Sequence, residues 1–210
     1  GDPLSNILYA QPLNAKATAQ GLQLGTTTEP IFVADDHLYP FAAQLTVGVE
    51  GLAASRAVAA DYGDWTVTAR WDDGTRTLET TLGHGLPYVF VETTGGAALL
   101  TPAQTPTVWH QEGGVLGLTI DGFHYGVFAP PGAEWTGTAP LRSTLDGQGT
   151  LSVALLPDAQ PATLELFRRH AYAFVTDSRV TWSYDEPAAR LTATYTYDTE
   201  LQGDAPTPVN

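Results

Sequence analysis

Apolar and polar side chains alternate with a period of two along most of this chain. Residues 65–71, WTVTARW, put Trp65, Val67, Ala69 and Trp71 on one side and Thr66, Thr68 and Arg70 on the other. Successive side chains of a strand point to opposite faces, so this pattern predicts a half-buried β-strand. DDGT follows at 72–75, with Gly74 where a tight turn demands a positive φ. RTLETTL then runs back as a second strand. Gly83 and Gly85 bracket His84 and mark another reversal. PYVFVE forms the third strand, with Pro87 at its first position, where a missing N–H is tolerated. Residues 65–92 therefore read as a three-stranded meander with His84 on its second turn.

The rhythm continues at 107–111, 115–120, 123–129, 150–156, 180–186 and 190–199, each bounded by Gly, Pro, Asp or Asn. Upstream, QLTVGVEGL at 44–52 is a further strand, and IDGF at 120–123 and DEPAAR at 185–190 are turns. About ten short strands at such spacing predict an all-β antiparallel fold, a sandwich or a barrel. One segment departs from it. PATLELFRRHA at 161–171 places Leu164, Phe167 and Ala171 at three- and four-residue spacing behind a proline, and predicts a short helix. Residues 1–40 are weakly patterned and read as an irregular lead-in. Residues 204–210, DAPTPVN, have linker composition. The expected organisation is one domain over 1–203 with a tail.

Composition narrows the function. At 210 residues, a chain buries roughly 70% of the surface its unfolded form exposes, so its core suffices without covalent staples. There is no cysteine, which excludes disulfides and thiolate metal sites. The net charge is −14, from 23 acidic and 9 basic residues. Such a surface repels phosphate backbones and anionic lipid, so neither nucleic acid nor membrane is an expected partner. No apolar run approaches the ~20 residues of a membrane span. Only 15% of residues are charged, a balance that suits a secreted, extracellular β-rich protein. No signal peptide and no initiator methionine are present, which is expected of a processed chain or of a piece of a longer one.

The sequence has no GxSxG elbow, P-loop, GxGxxG or HExxH. The histidines, His37, His84, His110, His124 and His170, never fall at i, i+2 or i, i+4, so no metal site and no cofactor is expected. Asp35 and Asp36 in ADDH could contribute to a Ca²⁺ site, but an exposed acidic turn accounts for them as well. His84 could serve as a general base held out by its glycines, or as a turn histidine bonded to a nearby carbonyl. Glycosidases need two carboxyl groups at a fixed separation. Asp64, Asp72, Asp73, Asp121, Glu134, Asp177 and Asp185 mostly fall at turns, and neither they nor Glu92 are marked out as a catalytic pair. The aromatics carry more. An indole face stacks on the C–H face of a sugar ring. Trp65, Trp71 and Trp182 alternate with polar residues and belong to a core. Trp109 and Trp135 lie near turns, where exposure is expected; with Tyr125 and His84 they are the carbohydrate-binding candidates.

Two longer strings add a family resemblance. GDWTVTARWDDGTRTLETTLGHGLPYVFVETTGG at 63–96 resembles the N-terminal β-sandwich region of the endo-β-1,3-glucanases of glycoside hydrolase family 81. HAYAFVTDSRVTWSYDEPAARLTATYTYDT at 170–199 is similar to a second block of that region, in the same order, and LTVGVEGL at 45–52 fits upstream. The resemblance implies a sandwich of two packed sheets rather than a barrel. It implies a secreted enzyme that cuts laminarin-like β-1,3-glucan with inversion, by a general acid, a general base and a water between them. It places those carboxylates in a helical (α/α)₆ barrel that follows the sandwich. No run of paired amphipathic helices occurs here, so no catalytic residue carries over. The chain is then expected to be an inactive module whose partners are β-1,3-glucan and a catalytic barrel of the same enzyme. A free-standing β-glucan-binding module is the alternative.

Overall fold

The computed structural model describes residues 13–27, 41–53, 59–62, 66–83, 87–144, 148–171, 173–185 and 190–201. A hairpin of β1 (Asn14–Thr18) and β2 (Gly21–Thr27) leads into β3 (Phe41–Val49). β4 (Ala59–Tyr62), β5 (Thr66–Asp72), β6 (Thr77–Gly83) and β7 (Tyr88–Thr94) then pair in succession. β8 (Ala98–Pro102) returns beside β3. β9 (Thr107–Glu112), β10 (Val115–Ile120) and β11 (Phe123–Phe128) form a second meander. The short β12 (Trp135–Thr136) and β13 (Leu141–Ser143) precede β14 (Gln148–Leu156), which inserts between β7 and β11. Helix α1 (Pro161–His170) and the long ribbon of β15 (Ala173–Asp185) and β16 (Arg190–Leu201) follow.

The strands make a six-stranded sheet, β1-β2-β3-β8-β13-β12, and an eight-stranded sheet, β4-β5-β6-β7-β14-β11-β10-β9, with β15 and β16 apart as a pair. The pairing throughout is antiparallel, as the alternation implies. One apolar cluster joins the two large sheets. Leu24, Leu45, Val47 and Leu100 come from one side, and Trp71, Leu78, Val89, Leu116, Ile120 and Val153 from the other. This is the interior of a β-sandwich, with inward residues at every second position. A buried polar bridge crosses it. Tyr125 Oη donates to Gln44 Oε1 at 2.9 Å, and Gln44 Nε2 donates to Thr26 Oγ1 at 3.1 Å. Gln44 reaches the interior because it is the extra residue of a bulge opposite Leu24 and Gly25. Trp71, which the alternation assigns to the core, is fully buried, and its Nε1–H reaches the carbonyl of Thr18 at 2.8 Å.

The run YVFV at 88–91 is buried on both faces. Val89 and Val91 enter the interior, while Tyr88 and Phe90 face outward into a second cluster with Phe128, Leu156, Leu164 and Phe167. Helix α1 covers that outer patch. Its chain enters through Pro161 at the first helical turn, where no N–H is required. Leu164, Phe167 and the following Ala171 turn inward, as their spacing predicts. The helix can come close because Gly126 has no side chain. A Cβ there would lie 3.0 Å from a Leu164 methyl and 2.8 Å from the Phe128 ring.

The lead-in is not irregular throughout. It contains the β1–β2 hairpin, with Leu22 and Leu24 buried and Gly21 at a φ of +127°. Gly21 is required there, since a Cβ would meet the Val47 carbonyl oxygen at 2.2 Å.

Candidate functional site

β9 is an edge strand of the eight-stranded sheet, and it carries a bulge. His110 stands opposite Gly117 and Val108 opposite Leu118, so Trp109 is the extra residue between them. The bulge breaks the alternation and lays the indole over Gly117, where a Cβ would sit 2.7 Å from the ring. Trp109 is half-buried against the outer cluster. Its ring centroid lies 6.4 Å from that of His110, and its Nε1–H is buried with no protein acceptor among the described residues.

Between this edge and α1 lies a pocket of about 360 Å³. The strand side supplies His110 and Glu112, alternate positions of β9, with Gly113 and Val115 around the turn into β10. Gly113 and Gly114 both hold a positive φ, +58° and +85°. The helix side supplies Pro161, Leu164, Glu165 and Arg168, whose three- and four-residue spacing is that of one helical face. Glu165 accepts from Arg168 Nε at 2.7 Å and Nη2 at 2.9 Å, and the Arg169 guanidinium approaches at 3.5 Å. The hydrogen bond from Arg168 leads in holding the Glu165 carboxyl below its usual range. The walls thus combine a guanidinium, two carboxyl groups, an imidazole and an aliphatic patch. Such a set can bond hydroxyl groups and support an apolar ring face.

The four carbohydrate-binding candidates are not brought together. Trp109 packs on the outer cluster beside His110 and does not itself line the pocket. Trp135 was expected to be exposed near a turn; it is 4% exposed and belongs to the interior, because β12 turns that side chain inward. Tyr125 is fully buried, with its hydroxyl engaged by Gln44, so no face of it is available to a sugar. Burial pushes its ionisation well above the ordinary value of 10.0. His84, with Asp35, Asp36, Asp64 and Trp65, lies outside the described residues. On either side of His84 in sequence, β6 and β7 pair antiparallel, with Leu82 opposite Val89. Helix positions Glu165 and Arg168 were missed as pocket residues. Only their shared spacing with Leu164 could have pointed to them.

The carboxylates of the hairpin turn are structural. Asp72 Oδ1 accepts the Gly74 N–H at 2.8 Å, and Asp73 Oδ1 accepts those of Thr75 and Arg76 at 2.9 and 2.7 Å. These backbone donors keep both acids below their usual range. Asp121, at a φ of +50°, and Gly122 make the β10–β11 turn. Glu92 and Glu134 are exposed, one on β7 and the other beside β12 in the opposite sheet. Among the described residues no group of three His, Asp or Glu is placed to hold a metal ion.

Comparison with known proteins places this framework. No protein-family model matches the chain. It is 41% identical over 205 residues to a glucan endo-1,3-beta-D-glucosidase of Thermobifida fusca, covering 96% of this chain and 27% of the relative. It is 35% identical over 204 residues to the corresponding protein of Acetivibrio thermocellus, covering 93% of this chain and 26% of that one. A solved family 81 glycoside hydrolase from Clostridium thermocellum superposes with a TM-score of 0.77 at 33% identity, over 93% of this chain and 28% of that chain. Over nearly its whole length the chain is thus similar to one region of these proteins. It spans about a quarter of the length of the curated relatives it matches. The sheets described above match part of that family 81 structure, in agreement with the strings at 63–96 and 170–199.

Proposed function

We propose that this chain is the β-sandwich region of a secreted endo-β-1,3-glucanase, and that it packs on and supports a catalytic domain lying outside these residues. The observation that carries the reading is the alignment over nearly the whole chain with a glucan endo-1,3-beta-D-glucosidase of which it makes up 27%. The carboxyl groups add support. Asp72 and Asp73 hold a turn, Glu165 is bonded to arginine, and Glu92 and Glu134 stand exposed in opposite sheets. An inverting glycosidase needs an acid and a base roughly 6.5–9.5 Å apart across one sugar, and the acids with assigned roles here serve a turn and an ion pair instead. The bond-breaking acids then belong to the catalytic domain, a helical barrel in the family resemblance. The substrate is laminarin- or curdlan-like glucan.

The test is made in a full-length enzyme that carries this region. Glu92→Gln and Glu134→Gln are each expected to leave kcat on laminarin within about twofold, since neither group stabilises a transition state. A fall of a hundredfold or more in either variant, on the order expected for removal of a general acid or base, would overturn the reading.

A further inference from the structure

We propose that the pocket between β9 and α1 binds a short β-1,3-linked gluco-oligosaccharide. The inference rests on the reading that the chain belongs to a β-1,3-glucanase, and it goes further by naming a place on the sandwich where the glucan is held. The pocket's volume of about 360 Å³ falls at the small end of the roughly 300–1,000 Å³ range of ligand sites. That is room for the end of an oligosaccharide. The rest of the oligosaccharide can run along β9, which has no strand paired beyond it among the described residues.

The lining selects the ligand class. Glu112 and Glu165 place two carboxylates on the walls, and Arg168 is already bonded to one of them, which disfavours an anion. The polar groups disfavour a purely apolar guest. A neutral polyhydroxyl compound meets both conditions. Glu165 and Arg168, held side by side by two hydrogen bonds, place a carboxylate and a guanidinium together on one wall. Their mutual bonds fix both side chains beforehand, which lowers the entropy lost on binding. Val115 and Leu164 give the C–H face of a sugar ring an aliphatic floor. Two features of the same edge strand agree. Trp109, next to His110, carries a buried Nε1–H with no acceptor among the described residues, and such donors are satisfied by water or ligand when the protein offers nothing. Val108 is a large apolar side chain left 44% exposed.

The experiment is a titration of this chain with laminaritriose, followed in amide and indole N–H spectra. Saturable shifts are expected at the Trp109 Nε1–H, His110 and Gly113. His110→Ala combined with Glu112→Gln, both on the exposed strand edge, is expected to weaken binding roughly tenfold with the melting temperature unchanged. Lys16→Ala, exposed on β1 of the opposite sheet, is the control and is expected to retain binding. No saturable shift at about 10 mM sugar, shifts confined to other strands, or unaltered affinity in the double variant would overturn the inference. Laminarin hydrolysis by the full-length enzyme is measured alongside. Hydrolysis without binding at this pocket would remove the inference and leave the glucanase reading; binding here in a protein that does not hydrolyse laminarin would remove the reading.

Discussion

Tyr88 joins a strand to a helix with one hydroxyl. Its Oη donates to the carbonyl of Phe167 at 2.7 Å, within the last turn of α1, where helical carbonyls lack partners in their own helix. The ring lies 5.7 Å from that of Phe167. Tyr88→Phe keeps the ring but leaves that carbonyl unpaired, and an expected loss of about 1–2 kcal/mol would show in urea unfolding. The same residue sets a pH dependence. Burial raises its ionisation well above 10.0, as it does that of Tyr125. The unfolded chain therefore releases these protons near pH 10 while the folded chain retains them. The stability they contribute is complete below pH 10 and declines as the pH rises beyond it. Tyr88→Phe should flatten the alkaline limb of a stability–pH curve; an unchanged limb would show that Tyr88 does not cause it. At this scale the sequence was legible where alternation is regular. Trp71 was correctly assigned to the core. Trp135 and Tyr125, named as sugar-binding candidates, are buried, because a strand's pattern does not say which of its faces meets the other sheet. Trp109 sits on a bulge, which no spacing in VWHQ discloses.

The elements were legible in proportion to their length. β5, β6, β7, β9, β10, β11 and β14 each repeat the period often enough to be read, and α1 was read from Leu164, Phe167 and Ala171. β12 and β13, of two and three residues, are too short to alternate. β1 and β2 were missed although Leu22, Gln23 and Leu24 alternate behind a glycine, because NAKAT offers only small apolar residues. The continuous run at 88–91 has its cause at this level. β7 is sandwiched between the interior and α1, so both of its faces are apolar. If α1 is the cover of the outer face, truncating its central anchor should be costly. Phe167→Ala is expected to lower stability by about 3–5 kcal/mol, read in denaturant unfolding. A loss below about 1 kcal/mol would mean that the helix rests on the sheet without holding to it.

For the whole molecule, two sheets enclose a core tied across by Tyr125, Gln44 and Thr26, and the described acids serve turns, ion pairs and a small pocket. The architecture was readable from periodicity as far as sandwich or barrel; the two strings at 63–96 and 170–199 decided for the sandwich. The pocket was not readable, because it needs an edge strand and a helix fifty residues apart in sequence to meet, and no local pattern encodes that meeting. On the proposed function, this framework supports β-1,3-glucan cleavage by a separate catalytic domain without performing it. The most direct measurement is the release of reducing ends from laminarin by this chain alone, beside an equimolar full-length family 81 enzyme. The account expects release by the full-length enzyme and none above the blank from this chain. Release by this chain at a comparable rate would contradict it.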